Sequence, residues 1–88
     1  MKVVASPRFL KAKKKAPPVL QKKLDGAVRA VMASPEIGDL KRGDLAGIRV
    51  YKFKAGPQLY LLAYECDGET LSLYAWGVHE NFYRDIRP

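Results

Sequence analysis

The hydrophobic period of this chain changes once along its length, and that change dictates the order of its structural layers. Before Ser34-Pro35, Leu20, Leu24, Ala27, Val28 and Val31 recur at the three- and four-residue spacing of one buried helix face. From Ile48 onward the pattern changes to that of strands, and turn residues such as Asp67-Gly68 punctuate the runs. Helices therefore come first and strands after them, and a helical layer can cover the apolar side of the sheet that follows.

The helical part is divided by its prolines. Val3, Val4 and Ala5 suit a short first strand. Ser6-Pro7 then reads as an N-cap followed by proline at the first helical position, opening a helix from about Pro7 to Ala16. Pro17-Pro18 ends that helix and starts the next, which Ser34-Pro35 stops. Residues 34 to 47, with Gly38, Gly43 and Gly47, read as a connecting loop or a short extra turn.

In the strand part, Asp67-Gly68 reads as a two-residue hairpin turn with positive φ at both centres. Cys66 would then face Glu69, and Tyr64, Leu62 and Tyr60 would pair with Leu71, Leu73 and Ala75. For the preceding hairpin, Ala55-Gly56-Pro57-Gln58 allows a three- or a four-residue connection. The four-residue loop is preferred, because the shorter one would turn Lys52 and Lys54 into the core, where unpaired ammonium groups are costly. Lys54 then faces Leu59. Tyr51 and Phe53 join the apolar face, and Lys52, Lys54, Leu61, Ser72, Tyr74 and Trp76 share the other. The expected fold is α+β: two N-terminal helices packed on a small antiparallel sheet, with the first strand added at an edge.

At 88 residues the chain suits a single domain over residues 1–88, too small for a two-domain enzyme with a buried cofactor. No apolar run approaches the roughly 18 residues of a membrane span, and MKVVAS lacks the apolar stretch of a signal peptide. With Cys66 alone, no disulfide forms within the chain, so the expectation is a cytoplasmic protein without membrane partners.

The net charge of +7 is unevenly placed. Residues 1 to 33 hold nine basic residues and one acid, Asp25, whereas residues 34 to 88 hold seven basic and eight acidic ones. The stretch Lys11, Lys13, Lys14, Lys15, Lys22, Lys23 and Arg29 therefore marks the helical hairpin as a surface for phosphate backbones or an acidic protein segment, unless it is simply a solvated helix face.

On the second sheet face, Lys52 and Lys54 offer positive charge for a phosphate, and Tyr74 and Trp76 offer rings on which bases stack. In the C-terminal tail, His79 and Tyr83 can move protons. Those are the requirements of RNA cleavage without a metal: an activated 2′-hydroxyl, charge stabilisation at the phosphorane and protonation of the leaving oxygen. Each residue alone also has a plainer reading, as a solvated lysine, a packing tryptophan or a surface histidine. One His and one Cys cannot build a structural zinc site, no close carboxylate cluster suggests a two-metal nuclease, and no phosphate-binding glycine loop is present, so neither metal nor cofactor is expected.

From SPRFLKAKKK through LAGIRVYKFKAGPQLYLLAYE to GVHENFYRDI, the chain resembles the RelE/ParE superfamily of toxins from toxin-antitoxin systems. The resemblance implies two helices on a small antiparallel sheet. In the RelE branch it implies entry into the ribosomal A site and metal-free cutting of mRNA through 2′-hydroxyl attack. On that pattern YKFK gives Lys52 and Lys54 roles in RNA binding and charge stabilisation, Tyr83 a role in proton transfer or stacking, and His79 that of acid or phosphate ligand. Lys13, Lys14, Lys15, Lys22, Lys23, Arg49, Trp76 and Arg84 would complete the RNA contacts. The implied partners are a cognate antitoxin, mRNA and the ribosome, with operator DNA reached only through the antitoxin. One position departs from the pattern: relatives carry Tyr-Arg-Leu on the middle strand, and here it is Tyr60-Leu61-Leu62, so Arg49 or Arg84 would have to supply the guanidinium. That departure keeps two alternatives open, a ParE-type inhibitor of DNA gyrase and a catalytically degenerate repressor component.

Overall fold

The computed structural model describes residues 1–78; His79, Tyr83 and Arg84 lie outside the described residues. Strand β1 (Lys2–Ala5) leads into helix α1 (Pro7–Lys15) and helix α2 (Pro18–Ala33), followed by β2 (Asp39–Leu40), β3 (Arg49–Ala55), β4 (Gln58–Asp67) and β5 (Thr70–Val78). The sheet runs in the order β1-β5-β4-β3-β2. The expected antiparallel meander is formed by β3, β4 and β5, and β1 is added at the edge as expected; it pairs in parallel with β5, putting Val3 beside Leu71, so the five-stranded sheet is mixed. The loop expected over residues 34 to 47 contains single 3-10 turns at Pro35–Ile37 and Gly43–Leu45, with the two-residue β2 between them pairing with β3.

The helix boundaries follow from local chemistry. Ser6 Oγ accepts the Phe9 backbone N–H at 3.0 Å, satisfying a donor that a helix start leaves without a partner. At the other end of α1, the Gln21 side-chain amide donates to the carbonyls of Lys13 and Ala16 at 2.8 and 3.1 Å, which ties α2 to the last turn of α1. Leu24, Ala27 and Val31 of α2 are buried, with Val28 packed beside them, and they meet Phe9, Leu62, Tyr64, Leu71 and Leu73 in the main core.

Tyr64 fixes the connector after α2. Its hydroxyl donates to the Pro35 carbonyl at 2.6 Å and accepts the Gly38 N–H at 2.9 Å, while the ring has no exposure. A Cβ at residue 38 would lie 2.7 Å from that hydroxyl oxygen, so the close approach requires glycine. Arg49 Nη1 donates to the Gly38 carbonyl at 2.9 Å and to the Glu36 carbonyl at 3.3 Å, holding the same segment from the other side.

The β3–β4 register is the expected one, with Lys54 opposite Leu59; Ala55 and Gln58 pair as well, leaving Gly56-Pro57 as the turn. The β4–β5 register differs. Asp67 pairs with Thr70, and only Gly68, at φ 60°, has positive φ, so the turn centres on Gly68-Glu69 with glycine first, as a type II′ turn requires. Tyr64 therefore faces Leu73 and not Leu71. Farther along, the pairing steps from Tyr64–Leu73 to Ala63–Ala75 and leaves Tyr74 as an extra residue in a β-bulge. The Tyr74 carbonyl accepts a hydrogen bond from the Ser6 hydroxyl at 2.5 Å, and the Leu73 carbonyl accepts the Ser6 N–H, so the incoming N-terminal segment meets β5 at the irregularity.

Tyr64→Phe should cost about 1–3 kcal/mol in denaturant unfolding, because the buried Gly38 N–H loses its acceptor. Burial holds the Tyr64 phenol above its ordinary value of 10.0, partly offset by the Gly38 hydrogen bond and the Arg49 charge. Its contribution is thus complete below about pH 10 and is lost as the pH rises further, since the unfolded chain ionises first. A pH titration of stability should show a shallower alkaline decline in Tyr64→Phe than in the wild type.

Candidate nucleic-acid interface

Strand alternation divides β3 between two environments. Tyr51 and Phe53 pack toward the helices, and Arg49 has the same parity, while Val50, Lys52 and Lys54 take the opposite face. Lys52 and Lys54 are exposed, and as alternate residues of one strand their Cα atoms are roughly 6.6–6.8 Å apart. Both ammonium groups thus project from one side of a strand whose other side is held in the main core.

The face that carries these lysines is not bare. Val50, Leu61, Ala63 and Ala75 form a second buried cluster there, with Ile48 packed against it. Leu61, the register partner of Lys52, has no exposure. A guanidinium at that position would have to be desolvated or reach past its neighbours. Arg49 does not replace it: it lies on the helix side and its Nη1 is used on the Glu36 and Gly38 carbonyls. Among the described residues, no strand places an arginine beside Lys52 and Lys54.

Trp76 is also not where the sequence suggested. The bulge at Tyr74 reverses the alternation of β5, so Trp76 faces Leu62 and packs on the helix-side core. Its indole N–H donates to the Phe9 carbonyl at 3.3 Å, and its ring lies 5.9 Å from Tyr60, which stacks on Phe53 at 5.6 Å. Tyr74 takes the lysine face, and its hydroxyl donates to Glu65 Oε1 at 2.6 Å. That hydrogen bond, followed by burial, raises the Tyr74 pKa above 10.0, so the phenol keeps its proton at neutral pH.

The basic hairpin is as rich as its sequence indicates. Lys14, Lys15, Lys22 and Lys23 are exposed, whereas Lys13 Nζ sits 2.8 Å from Asp25 Oδ1 and bridges α1 to α2. Such a half-exposed pair contributes about 0–1 kcal/mol and mainly removes one cation from the surface field. Arg8, Lys11 and Lys15 line a concavity of about 420 Å3 with Ala12. Arg8 was absent from the residues the sequence reading singled out, although the spacing of Arg8, Lys11 and Lys15 on one helix was the signal that could have revealed it. The described residues hold no group of three or more His, Cys, Asp or Glu that could bind a metal ion. They also include no helix long and apolar enough to cross a membrane.

A family model described as the ParE-like toxin of type II bacterial toxin-antitoxin systems matches residues 3–87. The chain belongs to that family. Among solved structures, the intact Escherichia coli RelBE toxin-antitoxin complex contains a chain of the same fold, with a TM-score of 0.70 at 23% identity over 90% of this toxin and 96% of that chain. The YoeB/ParE toxin from Agrobacterium tumefaciens superimposes with a TM-score of 0.67 at 16% identity, covering 90% of this toxin and 99% of that chain. YafQ from E. coli does so at 0.65 and 16%, covering 93% and 97%. No curated protein matches the sequence. The α+β architecture anticipated from the change of period is the fold of these toxins.

Because Arg49 is built into the connector and the two strand lysines are exposed, their substitutions should separate cleanly. Arg49→Ala is expected to lose roughly 1–3 kcal/mol of stability. Lys52→Ala and Lys54→Ala should stay within about 0.5 kcal/mol of wild type in the same denaturant titration.

Proposed function

We propose that this toxin is a metal-independent endoribonuclease that cuts mRNA on the translating ribosome and is neutralised by a cognate antitoxin. The observation that carries the reading is the outward projection of Lys52 and Lys54 from one face of β3, in a register fixed by the buried half of the same strand. Two cations at that spacing can hold a scissile phosphate and stabilise the charge that accumulates on its oxygens during in-line attack by the 2′-hydroxyl. The reaction forms the bond from O2′ to phosphorus, breaks the bond from phosphorus to O5′, and leaves a cyclic phosphate and a 5′-hydroxyl. His79 and Tyr83, in the segment matched by the family model, are the groups assigned to proton movement. The basic hairpin, through Lys14, Lys15, Lys22 and Lys23, supplies the electrostatic attraction that brings the toxin to ribosomal RNA. An acidic antitoxin segment would compete for the same field. The RelBE complex supports an antitoxin partner by showing a toxin of this fold in such an assembly. Cytoplasmic action follows from a ribosomal target.

A second reading is favoured by one observation. Leu61 is fully buried opposite Lys52 and Arg49 faces away, which leaves the two strand lysines without a neighbouring strand arginine among the described residues. That arrangement suits a toxin that binds without cutting, as in the gyrase-inhibiting branch, or a degenerate member retained for repression with its antitoxin.

In a purified translation system, Lys52→Ala or Lys54→Ala should reduce the rate of mRNA cleavage by about 100- to 1000-fold, the range seen when one group that stabilises transition-state charge is removed. Unchanged cleavage by both variants would remove the strand lysines from the chemistry. Absence of cleavage by the wild type, with relaxation or trapping of DNA by gyrase instead, would support the second reading.

A further inference from the structure

We draw no further inference here: the strongest candidate, the outer edge of β1, where Val3 and Val4 are exposed at the end of the sheet, carries none because nothing in the structure shows what covers it.

Discussion

Four consecutive residues of β4, Leu61, Leu62, Ala63 and Tyr64, have no exposure, and the arrangement of everything around them follows from that burial. Successive strand residues point to opposite faces, so a run buried without interruption requires cover on both sides of the sheet. The helices cover Leu62 and Tyr64, while Val50 and Ala75 pack with Leu61 and Ala63 on the other side. Full burial of each large apolar side chain contributes about 1.5–3 kcal/mol, enough to make a one-residue slip of β3 against β4 prohibitive. The outward direction of Lys52 and Lys54 therefore follows from core packing together with the cost of burying their ammonium groups.

Much of this was legible in the sequence where one local rule decided the outcome. Ser6 and the prolines set the helix boundaries, and the cost of burying lysine selected the β3–β4 register. The β4–β5 register was not legible, because its bulge lies where Ser6 takes the Tyr74 carbonyl, a contact between residues 68 positions apart that no period in the strand announces. Its displacement of Trp76 to the helix side follows from the same cause. The two-residue β2 is too short to show a pattern, and the commitment of Arg49 to backbone carbonyls depends on a connector whose path is fixed by Tyr64.

The candidate site was legible in part for similar reasons. Lys52 and Lys54 needed only strand parity, whereas the placement of Arg49 and Trp76 depended on the connector and the bulge. The charge excess of the helical half also takes a clearer form in three dimensions. Lys13 is neutralised by Asp25, whereas Lys14, Lys15, Lys22 and Lys23 are exposed on the two helices.

The central claim is that the β3 lysine face serves RNA cleavage during translation. Primer-extension mapping of cellular mRNA after brief expression of the toxin tests it most directly. The account predicts new 5′ ends inside translated regions, spaced in register with the reading frame and absent when initiation is blocked. Intact transcripts accompanied by a DNA-damage response would contradict it.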